Sequence, residues 1–352
     1  MGTALTIIIA LLVFGFLIFI HEFGHYITAR IFKVSINEFS IGMGPKLMWF
    51  TSKKTGIDYS LRMLPIGGYV AMVGEDGESD DPNSFDKKPA WQRFIITAAG
   101  ATVNIVAGFL AMLLLTGITV IYSTKVSYVA PKEDIREGVI VEDMNSHLML
   151  KEGDIITEVE GKRVVIYDEL SYEIMRKGHE PIDLTVLRNG EEVELEDVIF
   201  PRITEQGQLF GGINFSVEEQ KKTFGNFFGI SLRKSVLIIR MCWESIFDLI
   251  TGRYGLSAVS GPIGISGAIG DAAKAGFASL LNITVIISIN LGFMNLLPIP
   301  ALDGGRLITI IAEMITRKKL PAKVEGIING VGLILLLLLS AVIMVKDVIQ
   351  LF

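Results

Sequence analysis

The chain carries one thiol, Cys242, in 352 residues, so an intrachain disulfide and a cysteine-rich zinc site are both excluded. Histidine is nearly as scarce, with four copies. No long basic tract occurs and the net charge is −6, which argues against nucleic acid as a partner. The N-terminal apolar run has no basic n-region and is too long for a secretory signal. It also places His21, Glu22 and His25 where small residues for cleavage are expected. It reads as a retained membrane helix. Any metal must be held by nitrogen and oxygen.

What the chain has in excess is apolar sequence. Half the residues are hydrophobic, which points to an integral membrane protein. Four runs, about 3–31, 94–122, 277–297 and 324–345, meet the roughly 20 residues needed to cross a bilayer. The second carries Gly100, Asn104 and Gly108 at four-residue spacing, which suits close helix packing, and Asn104 needs a polar partner there. Residues 33–89 are polar, with short strand-like pieces punctuated by glycine. The acidic run Glu75 to Asp81 reads as a solvated loop.

Residues 125–202 turn soluble. A helical stretch near Asp168 to Arg176 precedes two strand-like runs joined by Asn189-Gly190, a hairpin signal, which together read as a small α+β domain. Residues 203–276 read as a linker with an amphipathic helix near 224–254 and a turn at Ser260 to Ile265. Basic residues concentrate between the first two spans and between the last two, which predicts both loops as cytoplasmic and the α+β domain as extracytoplasmic.

The chemistry centres on His21-Glu22-Phe23-Gly24-His25, the pattern H-E-x-x-H. Residues four apart share a helix face, so both imidazoles can meet one metal ion. A catalytic zinc takes three protein ligands, but Thr28 and Ile31 occupy the places from which a downstream histidine could come. A carboxylate is the natural third ligand. Asp303 is the best candidate, since it follows a helix broken by Pro298 and Pro300 and falls at the depth of His21. Glu313 is a second choice. The plain alternative for Asp303 is a helix cap or a salt bridge with Arg306. Glu22 is placed to act as general base. Asn295 reads equally as a packing amide or a hydrogen-bonding group for a substrate backbone. A metal transporter or a scaffold is the competing class. A transporter, however, spreads its ligands across the membrane, and a scaffold has no need of Glu22.

These residues resemble the site-2 protease family of intramembrane zinc metalloproteases, RseP-type members in particular. The histidine motif matches the first family motif. Asn295 to Gly304 matches the second, N-x-x-P-x-P-x-L-D-G. Pro65-Ile66-Gly67-Gly68-Tyr69-Val70 is similar to the family's membrane-associated β-structure, and Gly153 to Glu160 with the following helix and hairpin is similar to a PDZ domain. The resemblance implies a polytopic α-helical membrane protein with four transmembrane helices, a membrane-associated β-rich loop and an inserted extracytoplasmic α+β PDZ-like domain. The implied division is 1–124, 125–202, 203–276 and 277–352. It further implies zinc on His21, His25 and Asp303, and Glu22 as the catalytic glutamate. Asn295, Gly67, Gly68 and Tyr69 are implied as substrate contacts. The expected substrates are transmembrane segments of other proteins, often trimmed first by another protease and cut toward the cytoplasmic side of the bilayer. Anti-sigma factors and remnant signal peptides are examples.

Overall fold

The computed structural model describes residues 3–349 apart from 76, 137, 206–207, 254 and 256–258. In chain order the elements begin with α1 (Thr3–Ile31), β1 (Ile36–Thr51), β2 (Asp58–Met72) and α2 (Ala90–Ile118). A run of short elements follows: β3 (Tyr122–Val129), α3 (Ser146–Met149), β4 (Ile155–Val159), β5 (Lys162–Arg163), α4 (Tyr167–Lys177), β6 (Ile182–Arg188), β7 (Glu191–Val198), β8 (Arg202–Glu205), β9 (Gln208–Gly211) and β10 (Phe215–Glu219). Five helices close the chain: α5 (Phe224–Ile250), α6 (Pro262–Ala275), α7 (Phe277–Leu296), α8 (Asp303–Thr316) and α9 (Ala322–Ile349). Two compact units result, Met1–Met112 with Ile238–Phe352, and Leu113–Leu237.

Among the described residues, α1, α2, α7 and α9 are the four helices long and apolar enough to cross a membrane. Their outward faces are aliphatic, as Leu12, Leu110 and Leu335 illustrate, the pattern of a helix dissolved in lipid. Helices α1 and α2 touch backbone to backbone. A Cβ on Gly24 would stand 2.6 Å from the Ala99 carbonyl oxygen, so no larger residue fits that crossing.

Three segments differ from the sequence-based expectation. Helix α2 starts at Ala90 rather than near 94, because Arg93 gives its charge to Glu313 at 2.5 Å and its Nε–H to the Lys88 carbonyl. A charge that is paired can be carried into the first turn. The turn expected at Ser260 to Ile265 opens α6 instead: Pro262 takes the first helical position, where its missing N–H costs nothing, and Asp347 accepts the Gly264 N–H at 3.0 Å. The basic segment after the two prolines holds α8, whose Leu307 and Ile310 are buried.

Strands β1 and β2 each bend and so supply two runs apiece to one small sheet. Phe39 pairs with both Val70 and Tyr59, Ser40 with both Tyr69 and Ser60, and Trp49 with Ser60. Run 36–41 therefore lies between 68–72 and 58–61, with 46–51 outside the latter. Among the described strands, 68–72 is paired on one side only. Ile36, Phe39, Val70 and Met72 join Ala29 and Ile96 in a buried cluster. Polar residues bind one another across the same pairs. Ser60 Oγ donates to Glu38 at 2.6 Å, Arg62 donates to Glu38 at 3.0 Å, to Ser40 at 2.9 Å and to the Tyr69 hydroxyl at 2.5 Å, and Lys46 stands 3.1 Å from Glu38. Partial burial pushes the Glu38 carboxyl up, but the bonds from Ser60, Arg62 and Lys46 outweigh it and hold it at about 2 instead of 4.5.

The second unit has its own core, with Ile156, Leu184, Val186 and Phe200 fully buried between the sheet and α4. Its strands run in the order β10-β3-β4-β6-β7 with β5 on β4, while β8 and β9 pair separately. The β6–β7 turn has positive φ at Asn189 and Gly190, which is the geometry that Asn-Gly favours. Ion pairs Arg233–Glu169 and Lys234–Asp168 fasten the start of α5 to α4.

Candidate metal centre

His21 and His25 sit one turn apart on α1, and the first residue of α8, Asp303, meets them. Nε2 of His21, Nε2 of His25 and Oδ2 of Asp303 form a nearly equilateral triangle with sides of 3.2 to 3.3 Å. Both histidines are buried and Asp303 is partly so. Among the described residues this is the one group of three such ligands that converges.

The triangle fits a metal better than it fits hydrogen bonding. Oδ2 of Asp303 is buried and close to two ring nitrogens, yet no angle makes a hydrogen bond to it. Two zinc bonds of about 2.0–2.1 Å at a tetrahedral angle put their ligand atoms about 3.3 Å apart, the side of this triangle. Nitrogen and carboxylate oxygen are also donors that zinc accepts.

The outer ring nitrogens are held in turn. Nδ1 of His25 is 2.9 Å from the Ile96 carbonyl oxygen on α2, a fixed acceptor for an N–H. Nδ1 of His21 is 3.3 Å from the side-chain amide of Asn104, which is fully buried. Here the amide nitrogen Nδ2 faces that ring atom, and Oδ1 has no partner among the described residues. An imidazole that offers Nε2 to a metal keeps its proton on Nδ1, and a half-turn of the amide would present Oδ1 to accept it. The Asn104 carbonyl accepts from Ser288 Oγ at 2.8 Å, which ties the arrangement to α7. Between the rings and α2 only a glycine fits: a Cβ on Gly100 would lie 2.3 Å from His25 Nε2 and 2.9 Å from His21 Cε1.

Glu22 follows His21 on α1 and is partly buried. Run 68–72 passes beside it, with a Cβ on Gly68 only 3.0 Å from Glu22 Cγ. Gly67 has φ of +83°, and Tyr69 is bound through its hydroxyl to Arg62. Asn295, near the end of α7, is partly buried and its side chain has no hydrogen-bond partner among the described residues. Glu313, the second-choice ligand, is engaged by Arg93. Arg306 does not pair with Asp303 but with Glu75. His147 and His179 belong to the other unit and take no part. Sequence reasoning passed over Ile96, Gly100 and Asn104 as parts of this centre. The usable signal was Asn104, an amide in an apolar run that had to find a partner.

Comparison with known proteins gives a consistent picture. The model of peptidase family M50 matches residues 9–339. "Putative zinc metalloprotease FN1322" of Fusobacterium nucleatum is 36% identical over 352 residues, covering 99% of this chain and 100% of that protein. "Zinc metalloprotease RasP" of Geobacillus kaustophilus is 29% identical over 99% of this chain and 98% of its own length. "Regulator of sigma-W protease RasP" of Bacillus subtilis is 25% identical over 99% of both.

Proposed function

This chain belongs to peptidase family M50, and we propose that it hydrolyses peptide bonds in or beside transmembrane segments of other membrane proteins. It is a zinc metalloprotease of the site-2 type. The observation that carries the finer reading is the 3.2 to 3.3 Å triangle of His21, His25 and Asp303, built where two apolar helices meet with Glu22 beside it.

In this reading His21, His25 and Asp303 hold the zinc. Zinc held there would supply the Lewis acidity that polarises a scissile carbonyl and acidifies the attacking water. Glu22 takes the proton from the attacking water and passes it to the leaving amine, a role that its place between the histidines allows. Ile96 and Asn104 keep the imidazoles in the tautomer that presents Nε2. Asn295 donates to the substrate backbone, which fits a side chain with no partner of its own. A transmembrane substrate is helical and must unwind before a carbonyl is exposed. The single-sided run 68–72 offers it a strand to pair with, and Gly68, with no Cβ, lets that run pass close beside Glu22.

Residues 125–202 act as a PDZ-like domain on the extracytoplasmic side, and the metal lies toward the cytoplasmic side. The support is the distribution of basic residues between the spans. Substrates are membrane proteins whose extracytoplasmic part another protease has removed.

The test is cleavage of a trimmed single-span substrate by purified protein in detergent, with zinc quantified. Glu22→Gln should hold zinc and lose cleavage. Equal turnover by the variant removes Glu22 from the chemical step.

A further inference from the structure

Run 68–72 passes Glu22, and three residues beyond its end stands Glu75, which ties back to the strand by accepting the Met72 N–H at 3.4 Å. Arg306 lies one turn after Asp303 on α8. Its guanidinium grips Glu75 twice, once at the carboxylate through Nη1 and once at the backbone carbonyl through Nη2 at 3.0 Å. The remaining Nε faces Glu325 of α9 at 3.7 Å, and the guanidinium carbon stands 5.8 Å from the centre of the buried Phe85 ring. Glu325 is itself held by Thr309 Oγ1 at 3.3 Å. The pair is about four-fifths shielded from solvent on each side, so it is not a loose surface contact.

We infer that Arg306 is a positioning residue that fixes the strand edge at Glu22 relative to the helix that carries Asp303. The inference rests on the reading that 68–72 holds the unwound substrate. Hydrolysis needs the scissile carbonyl, delivered by the strand edge, and the metal, held through Asp303, to meet within a fraction of an ångström. Arg306 is the side chain that joins the ends of those two supports. A lysine keeps the charge but, lacking the planar fork, cannot hold the carboxylate and the carbonyl together. A misplacement of about 1 Å costs roughly a hundredfold in rate.

The experiment uses the full chain in detergent with a trimmed single-span substrate, comparing wild type, Glu22→Gln, Arg306→Lys and the milder Glu75→Gln. Zinc content, kcat, KM and amide hydrogen exchange are measured on each. Arg306→Lys should keep one zinc per chain, lose roughly tenfold to a hundredfold in kcat with KM little changed, and exchange faster over 67–75 but not in α1 or α2. Glu75→Gln should follow in the same direction by less, because the backbone acceptor remains. Activity per bound zinc equal to wild type in both variants overturns the inference, and so does unaltered exchange over 67–75. If wild type itself cuts no substrate, it is the protease reading that fails, and the exchange data still decide whether Arg306 holds the strand.

Discussion

At the scale of single residues the centre depends as much on what is missing as on what is there. His21, His25 and Asp303, which converge in the structure, could be picked out as candidate ligands because histidine and carboxylate beside apolar runs advertise their chemistry. Gly100 could not, since its contribution is an absent Cβ, and only the crossing of α1 and α2 shows where that atom would go. Gly100→Ala should force the imidazoles off the triangle, because the ring atoms at 2.3 and 2.9 Å belong to rigid groups pinned by Ile96 and Asn104. The expected outcome is a membrane-inserted protein with zinc content well below one per chain. Gly15→Ala, with nothing within 4 Å of the new methyl, should bind zinc normally. Asn104→Ala removes the amide that meets His21 Nδ1 and should weaken zinc binding by about 10- to 100-fold. Zinc affinity by competition with a chelator checks it, and an unchanged value removes Asn104 from the centre.

At the scale of elements, long apolar helices and the Asn-Gly hairpin were legible, because their periodicity or turn chemistry is local. The four-run sheet was not: glycine-punctuated strands announce strands without saying that the first run of β1 lies between two parts of β2. Helices α6 and α8 were hidden for a related reason. Gly261-Pro262 and the 298–300 prolines are turn signals that here stand just before a helix. The sheet makes a prediction of its own through Glu38, whose carboxyl is held at about 2 in the folded protein against an ordinary 4.5. A depressed carboxyl stabilises the fold above the ordinary value, and that contribution fades as pH falls from about 4.5 toward 2. Wild type should therefore melt at a higher temperature than Glu38→Gln at pH 6, with the gap closing between pH 4.5 and 2. A gap that stays constant with pH contradicts it. The strand edge is tested separately. Of Tyr69 and Val70, one turns its N–H away from run 36–41, and proline at that position should reduce cleavage while zinc stays bound. Unchanged turnover for both proline variants counts against pairing at this edge.

At the scale of the whole molecule, the ligands, Glu22, Gly68, Asn295 and Arg306 all belong to the first unit, while the second has a core of its own. A soluble stretch interrupting the apolar runs was legible in composition, but the closure of its sheet was not. Strand β3 begins where β10 ends: Tyr122 pairs with Glu219, and just outside them Lys222 Nζ donates to the Gly117 carbonyl at 2.8 Å. The sheet thus enters and leaves through neighbouring residues, so residues 122–219 can be replaced by a short Gly/Ser linker without stretching the flanking helices. Such a variant should retain zinc and cut a trimmed substrate near the wild-type rate, since no residue of the centre is touched. It also separates two roles for the removed domain. A size filter blocks untrimmed substrates, so its loss should let the variant cut an intact substrate that wild type leaves alone. A docking site recruits substrates, so its loss should slow cleavage of trimmed and intact forms alike. We expect the first outcome, because the described residues of the centre belong to the first unit and exclusion by bulk needs no side chain there.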